Sequence, residues 1–373
     1  MSPMLKAVEE AGIKALYRKR SPFSYEVADF FEPVHDVKSI FSRLINCNDP
    51  DRIAIIPSVS YGLANVVKNI NLKTGEDVIL AAEQFPSNVY PWMETCRSSG
   101  ANLVMVEAPS AVNNRGESWN MALLQAITEN TAVVAMGHVH WADGTLFNLE
   151  AIREKCDTVG ALMIIDGTQS VGALPFDVQK IRPDALICAG YKWLLGPYSI
   201  GVAYYGEYFD DGESIEHNWI NRVDSEDFPN LVNYQELVRP KAGRYNVGET
   251  SNFLLVPMLK AALQQIEDWG VENIQRYCAE ITSESIHRIE QLGYEVESLP
   301  FRASHLFGIR LPKIVLKETL VQNLAQADVK VSQRGDAIRI SPHLYNARND
   351  IERLVQCLEV SLPSTLTEGN RYK

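Results

Sequence analysis

Lys192 stands in the segment ALICAGYKWLLGP, just past an apolar run and bounded by glycines. A lysine in such a place cannot easily carry its ammonium out to water. Desolvation lowers its pKa toward the free amine that a Schiff-base nucleophile needs. A salt-bridged structural lysine is the alternative. Asp166 closes a second apolar run in MIIDGTQSVGALPFD, and Gln169 follows three residues later. A carboxylate so placed either caps or braces the chain or faces a ligand, and taken alone the two readings weigh about evenly. If the two runs are neighbouring strands, Asp166 and Lys192 meet in one crevice. Pyridoxal 5′-phosphate needs that pair: the amine forms the Schiff base, and the carboxylate keeps the pyridine nitrogen protonated so that the ring acts as an electron sink. Gln169 is then placed to hydrogen-bond the ring's phenolic oxygen.

Four further segments carry groups suited to the same chemistry. In IAIIPSVSYGLANVVKNI, Ser58, Val59 and Ser60 open a helix, where free amides, hydroxyls and the helix dipole make an anion cradle; plain N-capping by serine is the simpler reading. In LAAEQFPSNVYPW, Phe85 is an aromatic able to cover one face of a flat ring, or equally to plug the core, with Asn88 and Tyr90 close in sequence. The GHVHWADGT segment offers His138, His140 and Trp141. The two histidines lack a third ligand at metal spacing, so a non-metal role is expected. In QRGDAIRISPHLYN, Arg334 and Arg339 enter a half-buried strand, where a guanidinium is costly unless paired. A substrate carboxylate is a natural partner for Arg339, and an internal salt bridge is the competing one.

The elements that must position these residues are legible as seven continuous apolar runs: IAII (53 to 56), DVIL (77 to 80), NLVMVE (102 to 107), AVVAM (132 to 136), ALMII (161 to 165), DALICA (184 to 189) and IGVAYY (200 to 205). Unbroken apolar runs mark strands buried on both faces, hence a doubly wound α/β sheet. Ligands bind beyond the carboxyl ends of such strands, where the candidate residues lie. After about residue 250 a long helical stretch, short strands such as HLFGIRL and AIRIS, and a final helix ARNDIERLVQCLEVSL read as a smaller α+β unit. The expected domains are a large one over 15–250 and a small C-terminal one over 251–373 joined by residues 1–14. The acidic stretch 207 to 230 reads as a solvated surface excursion.

A chain of 373 residues with 46% apolar and 22% charged residues supports one large core and a smaller appended unit. A net charge of −12 disfavours nucleic acid as a partner. The cysteines Cys47, Cys96, Cys156, Cys188, Cys278 and Cys357 have no C-x-x-C spacing, which argues against a zinc site or a disulfide framework and fits a reducing cytoplasm. No targeting segment and no membrane span is read.

Taken together, the motifs resemble the class V aminotransferases, a family of fold type I pyridoxal phosphate enzymes that includes cysteine desulfurases, selenocysteine lyases, kynureninases and isopenicillin N epimerase-like proteins. The likeness runs in order through SVSYG, FPSNVYPW, DGTQSVGALPFDV, GYKWLLGP, GRYNVGETSNF and RISPHLYN. It implies a large domain with a seven-stranded, mostly parallel sheet plus a smaller α+β C-terminal domain. It implies that Lys192 is the Schiff-base residue, Asp166 the pyridinium partner, Gln169 the phenolate donor, Phe85 the stacking ring and Arg339 the α-carboxylate anchor. Ser58, Val59, Ser60, Tyr191 and Thr250 become cofactor ligands, and Trp141 and Asn252 substrate-facing residues, with His140 and Tyr90 as further candidates. It also implies a homodimer with GRYNVGETSNF crossing the interface, and an aminotransferase as the activity. A lyase, hydrolase or epimerase is the first alternative and a catalytically silent binding protein the second. Desulfurases usually stack a histidine where Phe85 stands, and carry a nucleophilic cysteine before the substrate arginine, where this chain has only Gly335 to Ile338. Glu249 stands where a phosphate-binding threonine is often found, so that Thr250 or Ser251 would substitute. Relatives usually have an N-terminal strand reaching the active site, and that arm is expected to be missing or very short here.

Overall fold

The computed structural model describes residues 1–109, 114–334 and 337–363. Each of the seven apolar runs forms a strand: β1 (Ile53–Ile56), β2 (Asp77–Ala81), β3 (Asn102–Val106), β4 (Thr131–Gly137), β5 (Leu162–Asp166), β6 (Ala185–Ala189) and β7 (Gly201–Tyr205). They make one sheet in the order β1-β7-β6-β5-β4-β2-β3. Only β7 runs against its neighbours, and the other pairs are parallel. Strands β1 and β6 are fully buried along their length, which explains their unbroken Ile, Leu and Ala content.

Helices α1 (Lys6–Arg18), α2 (Glu32–Leu44), α3 (Val59–Lys68), α4 (Tyr90–Ser99), α5 (Arg115–Ala126), α6 (Leu149–Val159), α7 (Val178–Ile181) and α8 (Leu255–Trp269) alternate with or flank the strands. Apolar residues of α3 and α4, among them Leu63, Val66 and Trp92, pack with Ile56, Leu80 and Ile187 of the sheet. Full burial of each such side chain stabilises by roughly 1.5–3 kcal/mol. Helix α3 lies so close to the sheet that a Cβ on Gly62 would meet Ile187 Cγ2 at 2.8 Å.

The remaining elements are α9 (Val271–Gln291), β8 (Glu295–Val296), β9 (Phe307–Arg310), α10 (Lys317–Gln326), β10 (Ser332–Arg334), β11 (Ala337–Ile340) and α11 (Arg348–Val360). The four strands form an antiparallel sheet in the order β10-β11-β9-β8. Phe307, Ile309, Ile338 and Ile340 bury one face of it against Ile289, Leu320, Leu354 and Leu358.

By contacts the chain separates into one unit of Met1–Glu107, Asn120–His138 and Asn148–Val271, and another of Ala108–Trp119, Val139–Phe147 and Glu272–Lys373. The division departs from a boundary at residue 250. Residues 1–14 and helix α8, both expected with the small domain, lie in the sheet-bearing unit, where α1 and α8 pack along one another. The long helical stretch is two helices, broken at Gly270, whose φ of 76° and ψ of 125° leave the helical region. The acidic excursion is also more than a solvated loop: Phe209, Ile220, Asn221 and Ser225 within it are buried.

Candidate active site

Strands β5 and β6 are adjacent, with Asp166 opposite Ile187, so the residues that follow them emerge side by side at one sheet edge. The turn after β5 is closed by Thr168, whose amide donates to Asp166 Oδ1 at 2.9 Å while its hydroxyl accepts from the Ala189 amide at 3.1 Å. Burial raises the Asp166 carboxyl above its ordinary value, opposed by the hydrogen bonds from Thr168 and by the positive charge of Lys192. Asp166 and Lys192 therefore lie within one electrostatic environment.

The chain reaches Lys192 through a tight turn in which Gly190 donates to the Ile200 carbonyl and Gly196 to the Gly190 carbonyl. A Cβ on Gly190 would meet the Ile200 oxygen at 2.4 Å, so only glycine fits. Lys192 Nζ lies 5.3 Å from the centroid of the Phe85 ring. Phe85 is 40% exposed, at the start of a single 3₁₀ turn, Pro86–Asn88, after β2. That loop is held from beneath by Gln84, a residue the motif reading passed over. Its side chain donates to the Ala135 carbonyl (3.0 Å), and its Oε1 accepts from the Gly137 amide (3.1 Å) and Asn88 Nδ2 (2.6 Å). Asn88 is accordingly a buried brace of the loop. A polar pair beside an exposed phenylalanine was the only available signal for it.

Gln169 is buried, and the Trp193 indole donates to its Oε1 at 3.1 Å, which orients the amide. The Tyr191 ring lies tilted against Tyr198 with centroids 4.5 Å apart, and its carbonyl accepts from the Ser2 amide at 3.2 Å. Burial, Tyr198 and Asp166 raise its phenol above the ordinary value. Ser58 is the N-cap of α3: its hydroxyl accepts from the Tyr61 amide at 3.2 Å and lies 2.9 Å from the Ser60 hydroxyl. Capping and anion binding coexist here, since the amides of Val59 and Ser60 begin the helix and have no partner within it.

Thr250 lines a cavity of about 420 Å³ whose walls include Phe31, Lys38, Asn221 and Arg239 and do not include Lys192. Its hydroxyl is buried without a hydrogen-bond partner. Glu249 beside it has a left-handed backbone (φ 57°) and an exposed side chain. Asn252 commits its Oδ1 to the amides of Leu254 and Leu255, at 3.1 and 2.9 Å, which start α8. Tyr245 and Asn246 of GRYNVGETSNF are buried, and Asn246 Oδ1 accepts from the Ile55 amide.

In the second unit, Arg339 donates from Nη1 to the Trp141 carbonyl at 2.5 Å, and the Arg334 guanidinium lies 5.2 Å from the Trp141 ring centroid. His140 is bonded to Asp143 at 3.1 Å and edge-on to Trp119; in the first unit, His138 is edge-on to Phe176. Gly335 and Asp336 lie outside the described residues. Among the described residues no group of three or more histidines, cysteines or acids is arranged to hold a metal.

The first unit thus collects an amine over an aromatic face, a buried carboxylate whose neighbouring charge is that amine, an oriented amide, and a helix start with two hydroxyls. These residues have the chemistry to hold a flat, cationic heteroaromatic ring with an anionic substituent.

The family model for aminotransferase class-V matches residues 20–354. The chain is 22% identical over 358 residues to the uncharacterized aminotransferase YcbU of Bacillus subtilis, covering 95% of this chain and 89% of that one. It is 26% identical over 329 residues to a probable cysteine desulfurase of Pyrococcus abyssi, covering 83% and 78%. Among solved structures it superposes on a cysteine desulfurase from Thermococcus onnurineus NA1 with TM-score 0.80 and 21% identity, covering 99% and 93%. It superposes on the cystine C-S lyase C-DES, solved with its product cysteine persulfide, with TM-score 0.84 and 18% identity, covering 96% and 95%. The fold is that of the fold type I pyridoxal phosphate enzymes, with a seven-stranded mostly parallel sheet and a smaller α+β unit. The chain belongs to the class-V aminotransferase family, and pyridoxal phosphate is its cofactor.

Proposed function

We propose that this chain is a cytoplasmic, homodimeric aminotransferase that acts on the α-amino group of an amino acid. The observation that carries the reading is Lys192 Nζ over the Phe85 ring, with the buried Asp166 carboxylate one strand away and within its field. When bound, the cofactor supplies an electron sink for negative charge at the substrate α-carbon. Lys192 would hold the cofactor through Nζ, and the same Nζ would take and return the proton at the substrate α-carbon. Asp166 keeps a proton on the ring nitrogen, favoured because the carboxylate is buried and finds its best partner in a cation. Gln169, held by Trp193, donates to the ring's phenolic oxygen. Phe85 covers one ring face and excludes water. Ser58, Val59 and Ser60 would bind the phosphate at the start of α3, with Tyr191 and, across the proposed dimer, Thr250 as further ligands. Arg339 takes the substrate carboxylate, with Trp141 at its side and Asn252 as a further substrate-facing residue.

A second reading, cleavage of a carbon–sulfur bond in the substrate, is supported by the probable cysteine desulfurases among the relatives. Its variant with a protein thiol as sulfur acceptor has little support. All six cysteines are buried, and burial raises every thiol above its ordinary value, away from the reactive thiolate.

The test is to purify the chain with pyridoxal phosphate and follow the visible absorbance of the lysine-bound cofactor through a panel of L-amino acids with a 2-oxo acid acceptor. Amino-group exchange, abolished in Lys192→Ala, supports the first reading. Sulfide or pyruvate released from cysteine or cystine without exchange supports the second. A Lys192→Ala protein that still carries the cofactor covalently refutes both.

A further inference from the structure

We propose that Arg334 and Arg339 form a two-anion pocket around Trp141, and that the substrate is therefore a dicarboxylic amino acid rather than a neutral one. The inference rests on the aminotransferase reading for the identity of the first anion, the α-carboxylate, and adds the second.

The geometry begins with strand register. Ser332 of β10 lies opposite Arg339 of β11, and Arg334 opposite Ala337. Directly opposed residues of an antiparallel pair share a face, and residues two apart on one strand share it too. Arg334 and Arg339 therefore project from the same side of the sheet. Both reach Trp141. The indole lies under the Arg334 guanidinium, and the Trp141 carbonyl accepts from Arg339 Nη1.

Among the described residues each guanidinium hydrogen-bonds through Nη1 alone, Arg334 to the Gln333 carbonyl at 2.7 Å and Arg339 to Trp141. Both Nε atoms are buried without a hydrogen-bond partner. The Nε–Nη2 edge of arginine is the side-on fork that matches a carboxylate, and among the described residues two such forks are left unfilled.

Charge sharpens the point. Among the described residues no carboxylate pairs with either arginine, although the same unit pairs Arg310 with Asp143 at 2.7 Å and Arg115 with it at 3.5 Å. Burial and the neighbouring charge of Arg334 lower the Arg339 guanidinium from its ordinary value. Two like charges, half-buried, with unmet donors, make an arrangement that is unfavourable until anions arrive. One carboxylate fills one fork and leaves the other bare. A ligand with two carboxylates fills both.

The experiment uses the full chain loaded with pyridoxal phosphate and measures binding by calorimetry of succinate, glutarate and propionate, which have no amine and cannot react with the cofactor. The dicarboxylates are expected to bind at least about 10-fold tighter than propionate, the scale of one charge-assisted hydrogen-bonded pair. Arg334→Gln is expected to erase that preference while leaving propionate affinity unchanged, and Arg334→Lys to restore part of it. Equal binding of succinate and propionate, or a preference surviving in Arg334→Gln, overturns the proposal. Because no turnover is read, these outcomes stand apart from the test of amino-group transfer. With a confirmed aminotransferase, a matching rise in KM for aspartate or glutamate in Arg334→Gln is the catalytic counterpart.

Discussion

At the scale of single residues, the site is built from ordinary side chains whose surroundings change their chemistry. Asp166 has its charge opposed by burial and stabilised by Thr168 and Lys192. Asp166→Asn keeps the shape and removes the charge, so cofactor binding is expected to persist while turnover falls by about 10²–10³-fold, the scale seen when one preorganised electrostatic group is removed. Absorbance titration and steady-state rates separate the two effects. Lys38 makes the complementary case. It is buried with no ion pair among the described residues, and burial is the largest cause of a pKa lowered to about 8, with Asp51 opposing and Arg239 adding to the shift. In the unfolded chain a lysine titrates near about 10.4, so between these values the unfolded state holds more protons, and stability rises with pH across that window. Below it the buried charge costs the fold on the order of 1–3 kcal/mol. Lys38→Met is expected to raise the midpoint of thermal unfolding at pH 7, with the gain shrinking as the pH approaches 10.4. A loss of stability at pH 7 would show that the ammonium has a favourable partner.

At the scale of elements, what decides the site is how loops are pinned to strands. Lys192, Asp166 and Phe85 were each legible in the sequence, because each sits just past an apolar run. The supports were not legible, since Gln84, Thr168 and Trp193 act through contacts with residues 21 to 53 positions away. Gln84→Ala removes one donor and one acceptor that join the Phe85 loop to β4. It is expected to cost about 1–3 kcal/mol, the penalty for leaving buried polar partners unmet, and to weaken cofactor retention. Urea unfolding and cofactor dissociation by dialysis measure the two. Unchanged retention would mean that Phe85 is held by other contacts. Element limits were misjudged where one residue's backbone broke the pattern. Gly270 splits the long helical stretch into α8 and α9 although the apolar periodicity continues across it.

At the scale of the whole molecule, the homodimer is the proposal that completes the site, since Thr250 lines a cavity apart from Lys192 and has an unmet hydroxyl. Large aromatics remain open on the sheet-bearing unit: Phe23 is 88% exposed and Tyr198 63%. Sedimentation at micromolar concentration is expected to give twice the mass of the chain, and Thr250→Val to weaken cofactor affinity by about 10-fold, the worth of a hydrogen bond to a charged group. A monomer that binds and turns over with full cofactor content would sink this arrangement. No helix among the described residues is long and apolar enough to cross a membrane.

The sequence alone determined the seven strands of the large sheet and the residues waiting at their ends, because strands buried on both faces must be continuously apolar and polar residues just beyond them stand out. It did not determine which strands are neighbours, nor where the units divide. Only tertiary structure set β5 beside β6, bringing Asp166 and Lys192 together, and packed α1 on α8 in the sheet-bearing unit. Only tertiary structure also turned Arg334 and Arg339 to one face around Trp141. Pairing of distant segments depends on which surfaces complement one another, and a one-dimensional pattern records each surface but not its partner.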